Sequence, residues 1–100
     1  MIRHIVFWKL KEGVTGQARD EALRKIKEGF EAMQGQIPGL RHIEIGIPFS
    51  TGPESADFSL YSEFDSREAL EGYATHPLHV AMVAIVREVR SERRVSDYDV

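Results

Sequence analysis

The sequence contains no cysteine. Disulfides, thiolate nucleophiles and cysteine-ligated zinc or iron–sulfur sites are therefore excluded. It has no apolar run approaching the ~20 residues needed to cross a bilayer, so no membrane partner is expected. Positive charge is not in excess: 13 Lys and Arg stand against 16 Asp and Glu, a net charge of −3, and nothing draws nucleic acid to the chain as a whole. The opening residues, Met1 to Trp8, carry no small-residue cleavage site of the kind that ends a signal peptide. A cytoplasmic location is the resulting expectation. Proline is scarce, with four residues in all, and each one punctuates the chain.

What is present suits one domain over residues 1–100. The chain is 42% hydrophobic and 29% charged, ordinary for a globular protein. At this length a single core is feasible but thin, and dimerisation would enlarge it. Residues 2–10 are rich in Ile, Val, Phe and Trp and read as a strand. His4, Val6, Trp8 and Leu10 share one face and Ile5, Phe7 and Lys9 the other, so both faces carry apolar groups. Thr15 to about Gln36 reads as a helix, with Leu23, Ile26, Phe30, Met33 and Ile37 at helical spacing. Gly29 within it marks a bend or a close contact, and Pro38-Gly39 ends the segment.

Leu40–Ile47 and Ala56–Phe64 read as further strands, separated by a loop from Pro48 to Ser55. Ser62 interrupts the apolar side of the second. Asp65 followed by Glu68 resembles a capping box, with Asp65 as the cap of a short helix. Thr75-His76-Pro77 then breaks the helix, and a new one starts near Pro77 and runs to about Val89. Arg93 to Val100 completes the pattern as a fourth strand. The order β-α-β-β-α-β predicts an α+β, ferredoxin-like fold with a four-stranded antiparallel sheet and helices on one face. No element remains to cover the other face. A second copy of the sheet would do so, which predicts a homodimer through sheet faces.

The chemistry-bearing stretch is Gly72-Tyr73-Ala74-Thr75-His76-Pro77-Leu78-His79. His79, Met82, Val83 and Val86 fall on one apolar helical face, so His79 points inward. His4 alternates with Val6 and Trp8 and lies beneath the helices. A lone inward histidine is usually a core residue satisfied by a carbonyl. Two of them with Tyr73 imply a mutual network or a wet cavity. Such a cavity supports acid–base work, with histidine moving a proton near neutral pH and the tyrosine hydroxyl donating to a developing oxyanion. Walls from Val6, Trp8, Phe30, Met82 and Val86 suit an apolar or aromatic small molecule. No nucleophile accompanies these groups, and no cofactor is called for.

Other polar residues read more blandly. His76 and His79, at i,i+3, have the spacing of a metal pair, but His76 precedes Pro77 and belongs at the helix cap; no metal site is expected. His42, alternating with Glu44, reads as structural or interfacial. Arg87, Arg90, Arg93 and Arg94 are interleaved with Glu88 and Glu92, a solvated mixed-charge surface, with an anion site as the alternative.

His4-Ile5-Val6-Phe7-Trp8-Lys9-Leu10-Lys11 resembles the opening strand of the stress-responsive dimeric α/β-barrel family, and Tyr73-Ala74-Thr75-His76-Pro77-Leu78-His79 resembles its second signature, Tyr-x-x-His-Pro-x-His. The likeness runs over essentially the whole chain. It implies a ferredoxin-like monomer whose sheet pairs with a second sheet to close a barrel. A few plant members are polyketide cyclases that carry out cofactor-free aldol condensation. By this resemblance His4, Tyr73 and His79 are the proton-handling residues. Three functions follow as expectations: a cofactor-independent, cyclase- or lyase-like acid–base enzyme, a non-catalytic stress protein that binds an apolar small molecule, and a cofactor-free monooxygenase of the related antibiotic-biosynthesis type.

Overall fold

A computed structural model describes residues 1–100, in the order β1 (Ile2–Leu10), α1 (Gly16–Glu31), β2 (Leu40–Gly46), β3 (Phe58–Phe64), α2 (Arg67–Thr75), α3 (Pro77–Val89) and β4 (Arg90–Asp99). The four strands form one sheet in the order β2-β3-β1-β4, every neighbouring pair antiparallel. The two βαβ-type crossovers lay all three helices on one face. This is the ferredoxin-like arrangement that the pattern of elements predicts.

The core lies between the helices and that face. Val6, Trp8 and Leu10 of β1, Leu60 and Phe64 of β3, and Ile43 and Ile45 of β2 meet Leu23, Ile26 and Phe30 of α1 and Met82 and Val86 of α3. Ser62, the polar interruption on β3, is fully buried, and its hydroxyl donates to the His4 carbonyl at 2.9 Å. Burial there is tolerated because the hydroxyl has found an acceptor. Gly29 allows α1 and α3 to approach: a Cβ at this position would lie 2.3 Å from Met82 Sδ.

Several boundaries differ from the sequence pattern. The α1 helix ends at Glu31, not Gln36, because Met33, Gln34 and Gln36 make backbone bonds three residues back and Gly35 turns the chain at φ +80°. Met33 and Ile37 stay buried on that turn, so their helical spacing reports a core without reporting a helix. The cap of α2 is Ser66, whose hydroxyl accepts from Ala69 N at 3.1 Å, while Asp65 instead pairs with Arg41. β4 begins at Arg90, three residues earlier than its apolar pattern suggests.

The break between α2 and α3 follows from proline. Pro77 cannot donate to the helix behind it and pushes His76 into extended backbone at ψ 137°. His76 then caps α3, its Nδ1 accepting from Leu78 N at 3.1 Å. The opposite face of the sheet carries no helix. There Phe7 is 48% exposed and Tyr98 41%, alongside Ile5 and Tyr61 and a set of charged side chains.

Candidate functional site

Three elements converge on the space above β1. His4 follows from strand alternation, since it shares the helix-facing side with Val6 and Trp8. Tyr73 occupies the last turn of α2, and His79 the first turn of α3, so the proline break sets the two side chains next to each other. Their rings lie 4.2 Å apart between centroids, and His4 is 6.0 Å from Tyr73, edge to face. These residues line a cavity of about 490 Å³, bounded by β1 and β4 below and by α3 above. That volume falls in the range of small-molecule sites.

The polar groups are held in distinct states. The Nδ1 of His79 donates to the Ala74 carbonyl at 3.0 Å, which fixes the tautomer and leaves Nε2 as the free acceptor. Burial, helped by His4 and Arg93 and opposed by the Ala74 carbonyl, lowers the His79 pKa below the ordinary imidazole value. The ring is thus neutral at neutral pH, with Nε2 able to accept a proton. Tyr73 is 1% exposed and its hydroxyl has no hydrogen-bond partner in the protein. Burial pushes its pKa well up, with Arg93 pulling weakly the other way, so it remains a proton donor. His4, 7% exposed, is oriented by Asp97 through Nδ1. A carboxylate at that place holds the proton on Nδ1 and leaves the far nitrogen for the cavity.

Of the anticipated walls, Val6, Trp8, Phe30 and Val86 line the cavity and Met82 does not. Met82 is buried against Gly29 of α1, and Val83, one residue on, faces the space in its stead. One step along a helix turns a side chain by about 100°, so a stripe of apolar residues four wide has members that face a neighbouring helix and members that face the cavity. His76 stays at the cap of α3. His42 is on the open sheet face, with Nε2 2.6 Å from Glu44 Oε1. No group of three or more His, Asp or Glu side chains is gathered so as to hold a metal ion.

Sequence reasoning missed Asp97, and it weighed three arginines as a solvated surface or an anion site without placing them at the cavity. Asp97 pairs in register with His4, and the signal was available: strand alternation from Arg93 puts Asp97 on the helix-facing side. Arg87, Arg90 and Arg93 also line the cavity, although their spacing reads as a solvated surface. A bulge hides them. Leu10 pairs with Arg90 and Trp8 with Arg93, with the register shifting between Lys9 and Leu10. Two residues three apart on a regular strand face opposite ways, and the extra residue, Ser91, turns both to the same side.

The sequence profile of the stress responsive A/B barrel domain matches residues 2–100. An uncharacterized protein of Streptomyces coelicolor is 42% identical over 88 residues, 88% of this chain and 89% of that protein. Among solved structures, a dimeric ferredoxin-like protein of unknown function from Bacteroides fragilis superposes with a TM-score of 0.88 at 35% identity, covering 99% of this chain and 95% of that one. A hydroxynitrile lyase from Passiflora edulis superposes with a TM-score of 0.78 at 17% identity, covering 97% and 90%, a likeness of fold. The chain belongs to the stress responsive A/B barrel domain family.

Proposed function

We propose that this member of the stress responsive A/B barrel family is a cofactor-independent acid–base enzyme, cyclase- or lyase-like, acting on an apolar or aromatic small molecule. The observation that carries the reading is the meeting of His4, Tyr73 and His79 on one cavity, with the Nε2 of a neutral His79 left free. His79 Nε2 takes a proton from a carbon next to a carbonyl. The Tyr73 hydroxyl donates to the oxygen as it gains charge, and His4, held by Asp97, orders the other side of the carbonyl. The proton held on His79 then returns to the product. Val6, Trp8, Phe30 and Val86 give the ligand's body an apolar wall. Relatives of this fold include a dimeric protein and a lyase, which agrees with a homodimer through the open sheet face and with proton-transfer chemistry. A cytoplasmic site of action completes the reading.

The test is deuterium uptake from D2O at the activated carbon of aromatic and polyketide-like β-keto compounds. His79→Ala is expected to lower the rate by roughly 10²–10⁴-fold with an unchanged circular dichroism spectrum. A fully active variant would sink the proposal. A second reading has support in the His79–Ala74 bond, which also satisfies a merely structural histidine: a non-catalytic protein that sequesters an apolar ligand. Retained affinity in His79→Gln, with no exchange by the parent protein, would favour it.

A further inference from the structure

The cavity has one wall that acid–base chemistry does not use. Arg87 closes α3, and Arg90 and Arg93 follow on β4, the latter two turned to the same side by the bulge at Ser91. All three line the cavity. None has an acidic partner, whereas Arg19, Arg24, Arg41 and Arg67 each pair with a carboxylate; Arg3 and Arg94 also lack one, but they stand on the open sheet face. No Asp or Glu lines the cavity. A chain of net charge −3 has therefore gathered three unneutralised cations around an apolar space. Trp8, opposite Arg93 in register, has its Nε1–H buried with no acceptor in the protein. A basic residue in the last turn of a helix offsets the negative end of its dipole, and that accounts for Arg87. It does not account for Arg93, which lies on the strand.

We propose that the cavity selects oxyanions: ligands with an apolar aryl or acyl body and a carboxylate or phosphate head, the head seated on Arg90 and Arg93 with Arg87 at the rim. Planar guanidinium groups suit such heads because they donate two parallel N–H bonds. The apolar body extends along Val6, Val83 and Val86 toward His79 and Tyr73. The inference rests on the reading that this cavity binds a small molecule, and it narrows that reading to a charge class. It also assigns the two ends of the site separate tasks, recognition at the arginines and proton transfer at the histidines.

Trp8 is the only tryptophan and lies on the cavity wall, so its fluorescence reports binding directly. The probes are 4-pentylbenzoate, 4-pentylphenyl phosphate and the neutral isostere 4-pentylbenzamide, titrated at about pH 8, where imidazoles are neutral and the arginines carry the charge. At least one anion is expected to bind roughly tenfold tighter than the amide, and the one that does so names the head group. The preference is expected to fall to about twofold or less in Arg90→Gln/Arg93→Gln, and to shrink in the parent protein at about 0.5 M salt. Arg93→Gln alone serves if the double variant misfolds. Equal affinity for anions and amide overturns the inference while leaving the small-molecule cavity standing, and so does a preference that survives arginine replacement. Absence of binding by all three probes overturns both.

Discussion

The sheet has two free edges, and they are finished differently. Along β2 the outward backbone groups are taken up by α1 and the turn after it. Lys27 donates to the Ile45 carbonyl at 2.8 Å, Ile45 N donates to Glu31 at 3.1 Å, and Gln34 bridges Ile43 N and the Arg41 carbonyl at 3.0 and 2.9 Å. A side-chain seam of this kind blunts an edge that would otherwise recruit another strand. Along β4 no helix side chain bonds to the backbone, Arg67 of α2 meeting only the Asp99 carboxylate; residues 91–100 are all exposed, and the helix-facing side opens into the cavity. The α1–β2 end is built for stability. The α3–β4 end has a cavity lined by unpaired arginines where the other end has packing.

The sharpest way to test that division is to remove methyl groups at each end. Ile26 is fully buried between α1 and the sheet, while Val83 is half-buried on the cavity wall. Ile26→Ala is expected to cost about 3 kcal/mol in urea unfolding. Val83→Ala is expected to cost less than about 1 kcal/mol, because the removed atoms already border open space. Comparable losses would show the cavity wall to be packed as tightly as the core and would erase the contrast.

The edge seam gives a smaller effect. Glu31→Ala removes the acceptor of Ile45 N and the partner of Lys27, and is expected to cost about 1 kcal/mol and to speed hydrogen exchange at Ile45. Glu92→Ala on β4 breaks no bond and is expected to stay within about 0.5 kcal/mol of the parent. Burial pulls the Glu31 carboxyl upward, yet Lys27 and Ile45 N more than offset it and hold its pKa below the ordinary value. The seam is therefore intact above the usual carboxylate range and is lost as pH falls through the lowered pKa. A Glu31→Ala protein with unchanged exchange at Ile45 would show that α1 does not guard this edge.

The same division separates what was legible in the sequence from what was not. Alternation in β1 placed His4, Val6 and Trp8 on the helix side, and Pro77 placed the break that sets Tyr73 beside His79; both are local rules with a short reach. The extent of α1 was overread because Met33 and Ile37 continue the apolar spacing through a turn, where i→i−3 bonds can bury the same face. Met82 was misplaced because a helical stripe does not say which neighbour each residue meets, and that depends on the crossing of α1 and α3 at Gly29. The arginine wall was hidden by the bulge at Ser91. A bulge reverses the facing of every residue beyond it, and nothing in Arg90-Ser91-Glu92-Arg93 announces one without knowledge of the partner strand.

The smallest expected effect is a change of titration that leaves the fold untouched. Burial is the main cause of the lowered His79 pKa, and His4 and Arg93 add to it. A base with a lowered folded pKa is protonated more readily when the chain is unfolded. Its share of stability is thus complete above about pH 6.5, the unfolded value, and is lost as pH falls through the folded pKa. Arg93→Gln removes one of the lowering charges, so His79 is expected to titrate at higher pH in histidine NMR spectra, and the acid limb of any exchange activity is expected to move with it. Arg41→Gln, at the β2 end, breaks the pair with Asp65 and is expected to leave His79 where it is. If neither substitution moves His79, the arginine wall and the histidine end do not sense each other, and the cavity acts as two separate sites. If Arg93→Gln alone moves it, the arginine wall and His79 share one electrostatic field, and a charge placed at either is felt at the other.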